Sequence, residues 1–144
     1  MLNPAVYWAI LMLVSAFAFW RGRFDERLAV SICVLATLAT HLVYVRHGAY
    51  QRVEIGIFIV DAAAFAGFTF IALRSERFWP LWLAGLQLTT VLAHVVKAVQ
   101  LDLMPQAYAA AARFWVYPIF MVIVVGTWRG YRRRVEARRE LATA

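Results

Sequence analysis

Four ionisable side chains stand inside long apolar runs of this sequence: His41, Asp61, His94 and Arg113. An ionisable group at membrane depth costs about 2.5–3.5 kcal/mol on insertion-based scales, so such groups indicate a structural or a chemical role. Counting about 1.5 Å per residue from the end of each run puts all four about 8–12 Å below the same boundary. The sequence therefore predicts one polar layer to which four helices contribute.

Further polar residues accompany these four at helical spacing. In the fourth apolar run the polar residues recur at intervals of three, four and three, so they lie on one helical face: Gln87, Thr90, His94 and Lys97. In the second run Thr37 and Tyr44 flank His41 in the same way. Because such stripes are unfavourable against lipid, we expect them to face the bundle interior or a subunit contact. The predicted polar layer consists of His41, Tyr44, Asp61, Gln87, Thr90, His94, Lys97 and Arg113.

The plainest interpretation of this layer is structural. Asp61 and Arg113 are natural partners, since pairing avoids two isolated charges in a low-dielectric medium. Pro118 lacks an N–H, which predicts a kink near Arg113. Ala63 and Gly67 form a small-xxx-small pair that lets another backbone approach closely. On this interpretation, hydrogen bonds between helices fix their register.

A redox interpretation uses the two histidines. His41 and His94, at matching depth on different helices, could ligate one haem b iron, as in membrane b-type cytochromes. Lys97, Arg113 or Arg46 could then meet the propionates. The segments LATLATHLVYV and LTTVLAHVVKA around the two histidines are also alike. Such likeness would fit parallel repeats as in some transporters, or it could be a chance match between apolar helices.

A transport interpretation uses the same residues to carry protons or a small solute, because imidazoles exchange protons near neutral pH. An enzyme is not expected. The sequence has no GxSxG, no HExxH, no Gly-rich phosphate loop, no zinc spacing and no acidic metal-binding pair, so neither catalytic nor metal-ligating residues are assigned.

The elements that position these residues follow from the composition. Of the 144 residues, 64% are hydrophobic and the mean hydropathy is +0.68, whereas a soluble domain is about 45–50% apolar. Five runs approach the roughly 20 residues that cross a bilayer: about 4–20, 28–45, 55–73, 78–99 and 107–128. We therefore predict an all-α, polytopic transmembrane helix bundle over residues 1–128 and a basic tail over residues 129–144.

The distribution of Lys and Arg predicts the orientation. With five spans, eleven basic residues fall on the side of the tail and four on the other side. The positive-inside rule then puts the N-terminus outside and the C-terminus in the cytoplasm. Trp20, Trp79, Trp82 and Trp128 all fall at the predicted cytoplasmic ends, as an aromatic belt should. The first run lacks a basic n-region and a cleavage site, so we interpret it as a retained helix of a bacterial inner-membrane protein.

The net charge of +7 is concentrated in the tail, which favours contact with anionic lipid head groups over nucleic acid. The single cysteine, Cys33, lies in an apolar run and is expected to be a small buried hydrophobe. Five short helices can hardly hide every polar stripe, so we expect a homo-oligomer or a partner membrane protein. The favoured function is an accessory or assembly subunit; the alternatives are a proton- or solute-handling bundle and a bis-histidine haem subunit.

Overall fold

The computed structural model describes residues 4–46, 50–99 and 114–143, and 94% of these residues are helical, with no strand among them. The described helices are α1 (Pro4–Arg21), α2 (Phe24–Arg46), α3 (Tyr50–Arg74), α4 (Trp79–Val99) and α5 (Val116–Thr143). The predicted all-α helix bundle is confirmed.

Four of the helices are long and apolar enough to cross a membrane: the stretches are Pro4–Arg21, Phe24–Val45, Ile55–Arg74 and Trp79–Lys97. The sequence is thus that of a multi-pass membrane protein. The predicted fifth span, 107–128, begins outside the described residues, and its described part is the start of α5.

Two short links set the helix order. Gly22 ends α1 with its N–H on the carbonyl of Ala18, 2.8 Å away, and a Cβ at Gly22 would overlap that carbonyl oxygen. Glu26 in the first turn of α2 reaches back to the N–H of Arg23, 2.8 Å away, as the acid of a capping box does. The four residues 75–78 join α3 to α4. Such short links make successive helices antiparallel neighbours.

The helices pack in a ring that follows chain order. Each helix contacts the next one along the chain, α1 closes the ring against α5, and α2 also touches α5. The most extensive contact is between α3 and α4. Within the described helices α2 and α4 do not pack against each other, because α3 lies between them.

The interior of the ring is apolar. All five helices contribute to it: Leu11, Val14, Ala18, Ala29, Val30, Cys33, Ala64, Phe68, Ile71, Leu83, Ile119, Phe120 and Ile123. Cys33 is buried and unpaired, as expected for a small hydrophobe. On α3, a Cβ at Gly67 would lie 2.8 Å from Cδ1 of Ile32, so the small residue predicted here does permit the close approach of α2.

The outer surface is apolar as well. Met12, Leu13, Leu35 and Met121 are each exposed by about two thirds, and Leu73 by 81%. Water would disfavour so much contiguous apolar surface, whereas acyl chains solvate it without cost.

The fifth helix is continuous from Val116 to Thr143, so the basic tail extends the helix beyond Trp128 without a break. Pro118 stands in the first turn of α5, where a missing N–H is tolerated. Phe114 is helical and Trp115 is a turn residue, so the helical path is interrupted just before α5, close to the kink predicted near Arg113.

The charged links and the tail meet at one end of the bundle, which we term the basic end. Here the α1–α2 turn, the α3–α4 link and the helix turn around Gly130 come into contact. This grouping agrees with the antiparallel order on which the sequence-based orientation was built.

Candidate functional site

The candidate site lies between α3 and α4, where Asp61 of α3 meets two polar side chains of α4. The amide Nε2 of Gln87 donates to Oδ1 of Asp61 at 3.0 Å and lies 3.3 Å from the backbone carbonyl oxygen of Asp61. The ring Nε2 of His94 lies 3.0 Å from Oδ2 of Asp61. Both carboxylate oxygens are therefore engaged. We refer to Asp61, Gln87 and His94 as the Asp61 cluster.

The helical spacing of α4 explains how these side chains converge. Gln87, Thr90 and His94 follow one another at three and four residues, so they share the face that α4 turns toward α3. Gln87 and Thr90 are each only 6% exposed. The inward-facing stripe predicted on α4 thus contacts the acid of α3, and Lys97, two residues from the end of α4, is half-buried.

The cluster is shielded but not sealed. The side chain of His94 is 10% exposed and that of Asp61 is 21% exposed. The ring of Phe58, one turn before Asp61, meets the imidazole edge-on, with centroids 5.9 Å apart and planes at 68°. The Phe58 ring thus packs against the imidazole, while the imidazole Nε2 faces the carboxylate of Asp61.

This arrangement could exchange protons, and its hydrogen bonds could hold α3 and α4 in a fixed register. A carboxylate in contact with an imidazole can share or pass a proton. Two open cavities among the described residues, of about 450 and 310 Å³, lie elsewhere, at the basic end and on the outer face of α4. Neither is lined by the Asp61 cluster. The described residues contain no group of three or more His, Cys, Asp or Glu that could hold a metal ion.

The polar residues of α2 lie apart from this cluster. His41 and Tyr44 are exposed on the surface of the bundle, Tyr44 by 57%. The hydroxyl of Thr37 instead forms a 2.7 Å hydrogen bond with the hydroxyl of Tyr7 on α1. The stripe was expected to face the bundle interior or a subunit contact. In the single chain Thr37 meets a neighbouring helix, whereas His41 and Tyr44 do not face the bundle interior, so for these two residues the subunit contact stays a prediction.

A bis-histidine haem does not fit this arrangement. His41 is exposed on α2, Nε2 of His94 is engaged with Asp61, and α3 separates α2 from α4. The two imidazoles thus do not face a common space within the described part of the bundle. We assign no haem ligand to this chain.

Arg113, the predicted partner of Asp61, lies outside the described residues. The pairing of Asp61 with Arg113 therefore stays a prediction. Among the described residues, Asp61 is in hydrogen-bond contact with Gln87 and His94 of α4, which the register of the two adjacent helices brings to it.

A second polar network, at the basic end, was not predicted. Glu26 is fully buried and forms an ion pair with Arg77. Next to it, the hydroxyl of Ser75 donates to Asp25 at 2.8 Å and lies 3.3 Å from the N–H of Arg77. This network ties the start of α2 to the α3–α4 link. The capping-box spacing of Arg23 and Glu26 was the one signal in the sequence that could have pointed to it.

The same network reaches α5 at Gly130. A Cβ on Gly130 would lie 2.9 Å from Nη1 of Arg77 and 3.4 Å from Oε1 of Glu26. One turn later, Arg134 donates from Nη2 to the backbone carbonyl of Arg21 at the end of α1. The guanidinium of Arg134 thus caps α1.

Compared with protein-family models, with curated proteins and with solved structures, the chain matches none. The functional argument therefore depends on the residues alone.

Proposed function

We propose that this chain is a non-enzymatic membrane protein that acts as an accessory or assembly subunit, and that it contacts its partner through the outer half of α2. The partner is a second copy of the chain or another membrane protein. The observation that carries the proposal is His41, an ionisable residue exposed on a candidate membrane-spanning helix.

The polar-layer residues at the α3–α4 contact already have partners or are buried. Asp61 has donors from Gln87 and His94, and Thr90 is buried between helices. His41 contributes to none of these contacts. An imidazole that faces acyl chains is energetically unfavourable, so contact with polar groups of another protein surface would stabilise His41. Tyr44, one turn further along α2, is exposed on the same helical face and supplies a hydroxyl to the proposed contact.

The test is site-specific photocrosslinking in intact membranes. A benzoylphenylalanine at position 41 should give a covalent adduct of discrete mass, twice the chain mass for a self-contact. The matched control is position 13, because Leu13 is 70% exposed on α1 and has no polar requirement. Adducts from position 13 should contain lipid only.

Substitution completes this test. His41→Ala should release the partner in mild detergent, as judged by native mass spectrometry, while Leu13→Ala should leave the complex intact. A wild-type chain that runs as a monomer and crosslinks only to lipid from position 41 would exclude the proposed assembly role.

We further propose that the membrane is the bacterial inner membrane and that the C-terminus is cytoplasmic. Outer-membrane spans are closed β-barrels, whereas the described residues are helical. The excess of arginine at the basic end favours the cytoplasmic side for that end. A C-terminal fluorescent-protein fusion should fluoresce and a C-terminal alkaline phosphatase fusion should be inactive; the reverse pattern would overturn the orientation.

Proton handling is a second candidate function, favoured by the 3.0 Å contact between Asp61 and His94. It requires proton flux across liposomes that contain the purified chain, and Asp61→Asn should abolish that flux while leaving helicity unchanged. Wild-type liposomes without flux above lipid alone would exclude it. Such an outcome would leave the assembly role untouched, because that role depends on α2.

A further inference from the structure

The cavity of about 450 Å³ at the basic end has an unusual lining. It lies between the C-terminus of α1, the α1–α2 turn and α5, and four arginines and two aromatic residues contribute to it: Arg21, Arg23, Arg134, Arg138, Trp20 and Tyr131. No carboxylate is among the described residues that line it. Four positive charges around one cavity repel one another unless an anion enters.

Two other arginines of the basic end provide a contrast. Arg77 is paired with the buried Glu26, and Arg132 is paired with Glu136 at 3.5 Å. Within the described part of the chain, none of the four cavity arginines is paired with a carboxylate. The cavity thus gathers four guanidinium groups in one space without a carboxylate to neutralise them.

Two of the guanidinium groups are held in place by other contacts. The guanidinium carbon of Arg21 lies 4.2 Å from the ring centroid of Tyr131 and 4.5 Å from that of Trp20. Stacking on the two rings leaves the N–H edges of Arg21 available for a planar or tetrahedral oxyanion. Arg134 is anchored on the carbonyl of Arg21. Capping of α1 explains why Arg134 lies at the cavity, but it does not explain why three further arginines line the same cavity.

The position of the cavity distinguishes a lipid from a soluble anion. Arg21 is the last residue of the candidate span Pro4–Arg21, so the cavity lies at a membrane boundary. Trp20, whose side chain is 77% exposed, flanks it on the side of the apolar helix surface. A phospholipid whose phosphate meets the guanidinium groups would lay its acyl chains along that surface.

We propose that this cavity is a binding site for the phosphate of an anionic phospholipid head group. The site is built by Arg21 and Arg134 as fixed donors, with Arg23 and Arg138 as a charged rim. It is independent of the assembly contact on α2, which lies in the opposite half of the bundle.

The test uses the full chain purified in neutral detergent and native mass spectrometry. Dioleoylphosphatidylglycerol should remain bound at one molecule per chain, at least about tenfold more tightly than dioleoylphosphatidylcholine. Glycerol 3-phosphate and inorganic phosphate at millimolar concentration should not displace it. Displacement by either compound would identify a site for soluble phosphate and overturn the lipid assignment.

Two double variants with the same change of charge separate the cavity from the tail. In Arg23→Gln/Arg138→Gln two rim charges are lost; neither side chain makes a hydrogen bond or ion pair within the described residues, so the fold should be unaffected. In Arg133→Gln/Arg139→Gln two exposed tail charges outside the cavity are lost. The rim variant should lose most of the tenfold preference, and the tail variant should stay within about twofold of wild type. Equal losses in the two variants would show a diffuse attraction to the tail and overturn the site.

Discussion

Replacing Arg77 by methionine tests whether the buried pair at the basic end holds α2 to the α3–α4 link. Glu26 is fully buried, and its two oxygens accept from Arg77 and from the N–H of Arg23. Methionine preserves much of the length and the apolar stem of arginine but removes the charge. Glu26 would then keep one backbone donor and no counter-charge.

The magnitude follows from the burial of the two partners. Removing one partner of a buried ion pair costs about 3–5 kcal/mol, because the remaining charge is uncompensated. The side chain of Arg77 is 26% exposed, so water relieves part of this penalty. We therefore expect Arg77→Met to lower the free energy of unfolding by about 3 kcal/mol, the lower end of that range.

The chain contains a matched control. Arg132 and Glu136 form an exposed pair at 3.5 Å, with side chains 59% and 57% exposed. Exposed pairs contribute about 0–1 kcal/mol, so Arg132→Met should lower the free energy of unfolding by less than about 1 kcal/mol. Glu26→Gln/Arg77→Met leaves no buried charge, and it should recover about half or more of the loss seen in Arg77→Met.

The assay is denaturant-driven unfolding in a neutral detergent, followed by helical circular dichroism at one fixed pH for all variants. Equal losses for Arg77→Met and Arg132→Met would refute the reasoning. So would a double variant as unstable as Arg77→Met, because the penalty would then not come from an unpaired carboxylate.

Two further predictions concern substitutions that should change stability differently. Gly126→Ala should destabilise the bundle by about 1–3 kcal/mol, because the added Cβ would lie 2.9 Å from the rigid ring of Trp79. Gly85→Ala should stabilise the bundle by up to about 1 kcal/mol through helix propensity, because the added Cβ would meet nothing within 4 Å. The same unfolding assay checks both, and equal signs would contradict the packing described for α4 and α5. Tyr7→Phe removes a 2.7 Å hydrogen bond between α1 and α2 and should cost about 1 kcal/mol. A Tyr7→Phe loss below about 0.5 kcal/mol, the scale of an ordinary surface substitution, would argue against the bond.

The apolar helices could be predicted from the sequence because length and hydropathy decide them almost alone. The inward face of α4 could be predicted too, since Gln87, Thr90 and His94 share one helical face that is unfavourable against lipid. On α2 the same reasoning identified a polar face but not its direction. Thr37 meets α1, whereas His41, one turn further along, is exposed. Helix packing decides which residues of a polar helical face contact a neighbouring helix. The spacing of polar residues along the sequence does not reveal that packing.

The hydrogen-bond partners of the two acids depend on tertiary structure. Opposite charge favours Arg113 for Asp61, and this pairing stays a prediction because Arg113 lies outside the described residues; the partners found on Asp61 are an amide and an imidazole of the adjacent helix. Glu26, which lies between the first two predicted spans, is fully buried. Its burial arises because the α1–α2 turn, the α3–α4 link and Gly130 of α5 meet at one point, and this meeting follows from tertiary structure alone.

A double-mutant cycle tests whether Asp61 holds α3 against α4 through His94. Asp61→Ala, His94→Ala and the double variant would be compared with wild type by unfolding in neutral detergent, with Asp61→Ala/His41→Ala as the uncoupled control. We expect a favourable coupling of about 0.6 kcal/mol between Asp61 and His94, the average found for hydrogen bonds between membrane helices, and at most about 1.7 kcal/mol, with none between Asp61 and His41. Additive losses for Asp61 and His94 would contradict it.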